Sequence, residues 1–335
     1  MSVDAKSLHA DAIIIDPVCP LLHRKEMLDV YKKGGLTAIA PTVGGWDNAA
    51  TTMRGLGSWV QYIRERGDAI LVRSASDIEE AKRTNKIGVI FHFQGTDPLE
   101  DSLDLIDAYK SLGVGMIQLT YNVKNRVGDG CEERTDAGLS KFGLKAIARM
   151  NEARIIVDCS HTGYRTTMDA FENSAAPTVF SHANPRAVYG TPRNVLDEQI
   201  KAAAATGGLT GIVGFPPFVA ADKRPTIDQY IDHISYVADL VGIDHVALGI
   251  DYFTGQSPYT PDDEAQKFYD ETIASGRWTP AAYPPPPYFY PEGMGTPDQM
   301  PNLTAALVKR GFAEADIRKI LGGNWMRVFR AVWGS

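Results

Sequence analysis

DCSH at 158–161 and FSHAN at 180–184 each end an apolar run in a serine followed by a histidine, giving His161 and His182. Neutral imidazole is the commonest protein ligand for zinc, and two of them on neighbouring strands can converge on one ion at about 2.0–2.1 Å. Two polar side chains satisfied by local hydrogen bonds are the plainer reading, and spacing alone leaves both open. Asp251, in ALGIDYFTG, follows another apolar run. A buried aspartate there must be paired or functional, and it is the natural group to take or direct a proton. Arg193, in TPRN, is either a planar clamp for a substrate carboxylate or an ordinary loop arginine. His92 and Gln94 in FHFQGTD and Tyr121 and Asn122 in LTYN add polar side chains at the ends of two more apolar runs, and His23 follows the first.

These residues need strands to deliver them. Apolar runs rich in β-branched residues predict strands at about 11–18, 36–43, 86–94, 113–121, 153–160, 177–182, 207–215 and 244–251. Between them lie amphipathic segments such as LDLIDAYKSLG, FGLKAIARMNEA, YRTTMDAFENS, LDEQIKAAAATGG and YIDHISYVADLVG. Strands alternating with helices imply a parallel sheet covered by helices, and eight units in a chain of 335 residues match a closed (β/α)8 TIM-type barrel. An open doubly wound sheet is the alternative, but no GxGxxG follows an early strand. The expected architecture is one α/β domain over 1–335 with elaborated loops at the C-terminal face, where such barrels place their sites.

Three segments depart from the rhythm. Residues 44–85 are long for one connection and contain a second apolar run, AILVRSASD. NVKNRVGDGCEERTDAGLS at 122–140 is either a binding loop or a long connection; Cys131 within it reads as structural, because no histidine lies nearby to activate it. AAYPPPPYFYPEG, within a Pro-rich loop at about 278–298, cannot be helical. It is a lid over the barrel mouth or a surface excursion.

A net charge of -7 with scattered Lys and Arg provides no footprint for nucleic acid or an anionic membrane, so a small-molecule substrate is expected. No apolar run is long enough to span a bilayer and no secretory leader is recognisable, which predicts a cytoplasmic protein. Three cysteines without CxxC spacing suggest neither a disulfide framework nor a zinc ribbon.

GVGMIQLTYN, IIVDCSH, VFSHANPRAVYGTPRN, GIDHVALGIDY, PNLTAALVKRGF and ILGGNWMRVF resemble, in the same order, blocks of the membrane (renal) dipeptidase family, a branch of the amidohydrolase-like metallo-barrels. The resemblance implies a (β/α)8 barrel whose well-studied members hydrolyse dipeptides with two zinc ions. It places His161 and His182 at the histidines of the second metal, Arg193 at the carboxylate-binding arginine and Asp251 at the proton-handling aspartate. It also implies departures. The first-strand His-x-Asp that holds the first metal is Val18 and Pro20 here, the bridging glutamate is Gln94, and the substrate-facing histidine after the fourth strand is Tyr121. Between Val18 and Pro20, Cys19 reads as a small buried residue in place of a thiolate ligand.

The expectation is therefore a dipeptidase-family hydrolase for a small amide, dipeptide-like or N-acyl compound with a carboxylate. It uses one zinc ion at most, on His161, His182 and Gln94; Asp251 is catalytic, and Tyr121, Asn122, Arg193 and His92 face the substrate. Homodimerisation is inherited from the family as an expectation. Two other readings are a metal-independent lyase or isomerase using Asp251, Tyr121 and His92, and a binding homologue without catalysis.

Overall fold

The computed structural model describes residues 4–334. Eight parallel strands follow the alternating pattern: Ile15–Asp16; Ala38–Ile39 continuing as Thr42–Gly44; Ile87–Val89 continuing as Phe91–Phe93; Val114–Gln118; Ile156–Asp158; Thr178–Val179; Thr210–Ile212; and Val246–Leu248. Neighbours pair in parallel from the first strand to the sixth. Phe180 then bridges to Thr210, and the seventh strand pairs with the eighth. The ring closes partly through a side chain. Asp16 Oδ1 accepts the Ile250 backbone N–H at 3.1 Å, and one turn further on the Leu21 N–H donates to the Tyr252 carbonyl at 2.8 Å.

Asp16 is fully buried, its Oδ2 has no partner among the described residues, and burial pushes its carboxyl up to about 7. The folded protein thus holds a proton that the unfolded chain releases near 3.8, so this contribution to stability is present in acid and is lost as pH rises towards 7. Asp16→Asn keeps an oxygen for Ile250 and cannot ionise. Its melting temperature relative to the parent should rise between about pH 4 and about pH 7; parallel melting curves across that range would contradict the assignment.

Alternate strand residues fall into different apolar clusters, as period-two side-chain alternation requires. Ile15, Ala38, Ile90, Met116, Ile156, Val179, Leu209 and Ala247 share one cluster, and residues from all sides of a ring can meet only inside it. The C-terminal helix Asn324–Trp333 packs Trp325, Phe329 and Trp333 into this interior. Arg327 donates to the carbonyls of Gly207 and Asp244, just ahead of strands seven and eight, which sets that helix at the N-terminal end of the barrel. Strands six, seven and eight approach so closely that a Cβ on Gly211 or Gly249 would strike the Ser181 carbonyl.

All five amphipathic segments named from the sequence are helical, at Asp104–Leu112, Lys141–Glu152, Tyr164–Asn173, Asp197–Ala205 and Ile227–Val241. The first strand is shorter than expected because Ala5–Asp11 is a helix capped by Asp4. The long second connection contains helices Ala49–Arg66 and Ala75–Arg83 around an extra strand, Ala69–Leu71, which pairs outside the ring with Ile87–Val89. Among the described residues, no helix is long and apolar enough to cross a membrane.

Candidate metal and catalytic site

His161 and His182, just past the ends of strands five and six, are brought together with their Nε2 atoms 2.9 Å apart. The other ring nitrogens fix both tautomers. Asn122 donates through Nδ2 to the Arg277 carbonyl at 2.9 Å, so its Oδ1, 2.6 Å from His161 Nδ1, must accept from that nitrogen. Ser181 Oγ donates to Asp158 Oδ2 and therefore accepts from His182 Nδ1 at 2.7 Å. Each imidazole thus carries its proton on Nδ1 and aims an Nε2 lone pair at the other. Protonation does not relieve the conflict: burial, then the Arg193 charge, holds both rings well below the ordinary imidazole pKa. Two buried lone pairs facing one point are a donor set for a cation.

Asp158 orients this pair from behind. It accepts from the Ser160 and Ser181 backbone N–H groups and both serine hydroxyls, with His92 Nε2 at 3.3 Å. Burial alone would raise its pKa; the hydrogen bond and charge of His92, with smaller help from His182 and Ser181, hold it well below the usual carboxylate range. Asp158→Asn replaces charge-assisted bonds with neutral ones and should cost about 2 kcal/mol of unfolding free energy by denaturant titration. An unchanged midpoint would show that the carboxylate does not anchor the loop.

Gln94 supplies the third group. Its Oε1 accepts from Thr42 Oγ1 at 3.0 Å and its Nε2 lies 3.5 Å from His182 Nε2. Because a hydroxyl both donates and accepts, the amide can turn over and present its oxygen to the imidazole pair while Thr42 accepts from its nitrogen. Among the described residues, no three His, Cys, Asp or Glu side chains converge as a metal site. Val18 and Cys19 are buried core residues and Pro20 lines the cavity as an apolar wall, so positions 18–20 offer no ligand there. The donor set fits one ion on two imidazoles and an amide oxygen, and does not fit a binuclear centre.

Gln94, Tyr121, His161 and Asp251 line one cleft. Asp251 sits past strand eight with φ +62, and Asn122 and His161 share that left-handed backbone at +59 each. Such backbone is uncommon for non-glycine residues and gathers where function demands a fixed direction. Tyr290 of the Pro-rich segment donates to the Asp251 carbonyl. Burial raises the Asp251 carboxyl well above its ordinary pKa, with the Arg193 charge opposing.

Arg193 is 1% exposed, with Nη2 donating to the His182 carbonyl at 2.8 Å and Nε unpartnered. It takes part in none of the ion pairs among the described residues. A buried guanidinium without a counter-anion calls for one from a ligand.

Two expected substrate contacts are corrected. His92 is fully buried against Asp158, so it supports the loops that carry His161 and His182 from behind and does not line the cleft. Asn122 is also buried and is spent on His161, the Arg277 carbonyl and the Tyr283 hydroxyl. His23 ends a short 3-10 helix at the surface, away from the pair. Cys131 is a bystander, its thiol pushed up to about 12 by burial.

The sequence reading missed the apolar wall. Trp46, Phe215, Phe253, Phe268, Trp278 and Tyr283 line the cleft, the last two from the segment that includes the Pro-rich loop. That loop is a roof: Tyr283 meets Asn122, and Thr279 donates to Glu132 of the 122–140 loop, which joins it over the mouth. Clustered aromatics at 268–290 were the available signal.

The sequence profile described as membrane dipeptidase, peptidase family M19, matches residues 29–270 and 287–333. A Klebsiella pneumoniae protein from the pqqA 5′ region, itself uncharacterized, is 27% identical over 273 residues, 78% of this chain and 89% of that protein. An uncharacterized dipeptidase of Schizosaccharomyces pombe is 33% identical over 192 residues, 55% of this chain; the match spans less than half of that protein, 46%. The crystal structure of an amidohydrolase from Pseudomonas aeruginosa superposes with a TM-score of 0.91 at 36% identity, covering 99% of this chain and 100% of that one.

Proposed function

Because the chain belongs to the membrane dipeptidase family, peptidase family M19, we propose that it hydrolyses a small amide, dipeptide-like or N-acyl compound bearing a carboxylate, with one zinc ion at most. The observation that carries this reading is the pair of opposed Nε2 lone pairs of His161 and His182 beside a cleft that also exposes Gln94 and Asp251. His161, His182 and the Gln94 oxygen would hold the ion. A zinc ion there supplies positive charge that polarises an amide carbonyl and acidifies water.

The protein's own groups do the rest. Arg193 pairs with the substrate carboxylate and so sets the scissile bond relative to the histidines. Tyr121 stacks on the His161 ring at 4.0 Å and accepts the Trp278 indole N–H at 3.1 Å, which leaves its own proton for a substrate oxygen. Burial keeps that phenol protonated. Asp251 moves the proton: water gives its hydroxyl to the acyl carbon and its proton, by way of the carboxyl, to the departing amine nitrogen as the C–N bond breaks. The tyrosine roof excludes bulk water. Cys19, Cys131 and Cys159 are free thiols, which suits a cytoplasmic location.

With His92 turned to Asp158, the metal-independent lyase or isomerase loses one of its three acid–base groups. The deciding assay is amide release from a panel of dipeptides and N-acyl amino acids. Dialysis against a chelator should abolish turnover, and one equivalent of zinc should restore it. Turnover unaffected by the chelator, or none on any amide with zinc supplied, would overturn the proposal.

A further inference from the structure

The cleft has a polar floor and an aromatic body. Gln94, His161 and Asp251 form the floor. Around it stand aromatic rings from four separate loops: Trp46 after strand two, Tyr121 after strand four, Phe215 after strand seven, and Phe253, Trp278 and Tyr283 after strand eight. Convergence from four loops is more than one hydrophobic helix face spilling into a groove. Pro20 adds an apolar ring where the resemblance would place a charged metal ligand.

The rings are set at mixed angles. Phe215 is tilted at 48–54° to Phe218, Trp278, Tyr283 and Tyr288 and stands edge-on to Phe253, while Trp278 and Tyr283 stack at 4.3 Å and 3° as one flat wall. The lining rings thus meet one another both face to face and edge to face, and a further ring can join such a cluster by offset stacking and edge-to-face contact. At the mouth, Trp46, after strand two, and Phe268, on the helix Asp262–Ala274, are each 42% exposed and line the same cleft. Arg277 lies 4.8 Å over the Trp46 ring and keeps it in place. Large aromatics left in water at the rim of a concave site mark where a ligand covers them. The family match is interrupted at 271–286, the stretch that supplies Thr272, Arg277, Trp278 and Tyr283.

We propose that the cleft selects a flat aromatic acyl group, making N-aroyl amino acids its substrate class, with the ring held between the aromatic walls and the carboxylate at Arg193. This rests on the hydrolase reading only for which bond is cut; recognition of the ring is tested by binding alone.

The zinc-supplemented full chain carrying Asp251→Asn, in which turnover is suppressed, is titrated calorimetrically with N-benzoylglycine, N-hexanoylglycine and N-acetylglycine. The benzoyl compound should bind about tenfold or more tightly than the acetyl compound, and several-fold more tightly than the hexanoyl one, which matches it in apolar bulk without a ring. Trp46→Ala and Phe268→Ala, both at exposed positions that leave the core intact, should each weaken benzoyl binding about three- to tenfold with acetyl binding unchanged. Equal affinities for benzoyl and hexanoyl, no binding of any of the three, or rim variants without effect would overturn the proposal. If the benzoyl preference holds and no amide is ever cleaved, the hydrolase reading fails and this inference stands. If amides are cleaved with no preference for the ring, this inference fails and the hydrolase reading stands.

Discussion

His161→Asn should lower kcat by about three orders of magnitude and release zinc from the protein. Asparagine is chosen because position 161 sits at φ +59, a left-handed conformation that it tolerates better than most residues, so the loop should survive the change. What is lost is one of the two lone pairs that meet 2.9 Å apart. The remaining donors, His182 and the Gln94 amide, are too few to retain a zinc ion at micromolar concentration. A Lewis acid at an amide carbonyl contributes several kcal/mol to the transition state, and each 1.36 kcal/mol is a factor of ten. Zinc stoichiometry by elemental analysis and kcat on the best amide of the panel should fall together. Loss of zinc with turnover intact would place the chemistry elsewhere.

Asp251→Asn should reduce kcat by about 10²–10⁴-fold, the usual worth of a positioned acid–base group, while zinc stoichiometry stays at the parent level. The reasoning is geometric first. Asp251 shares the cleft with His161 and Gln94, and its backbone is fixed by the left-handed turn and by the Tyr290 hydroxyl on its carbonyl. Its chemistry follows from burial. Burial raises this carboxyl well above its ordinary range, with the Arg193 charge opposing, and so favours the protonated form that delivers a proton to the departing amine. Asparagine occupies the same space without a transferable proton. Contrasting zinc retention in this variant with its loss in His161→Asn separates the proton carrier from the ion's ligands. Unimpaired turnover in Asp251→Asn would remove this residue from the chemistry.

The barrel was legible in the sequence because the strands lie in apolar runs rich in β-branched residues and five of the crossovers carry the helical period. What the pattern did not convey is how the ring closes. The Asp16 carboxylate standing in for a backbone rung at Ile250 has no local signature, because its partner lies 234 residues away. The paired histidines were legible as strand-end residues after serine, and Ser181 does fix His182. The Asn122 contact to His161 was not, and it turned an expected substrate ligand into a residue that orients the ring. His92 misled for a related reason: strand alternation places a residue on a face but does not say which buried group waits there, and Asp158 did. The aromatic cleft was missed because its members are scattered over four loops, none of which has a period.

Anomalous diffraction at the zinc edge, on crystals grown with zinc and never exposed to chelator, measures the metal count directly. One peak is expected, within coordination distance of His161 Nε2 and His182 Nε2, with none beside Val18 and Pro20. Two peaks, or no peak between the two histidines at saturating zinc, would contradict a one-ion site.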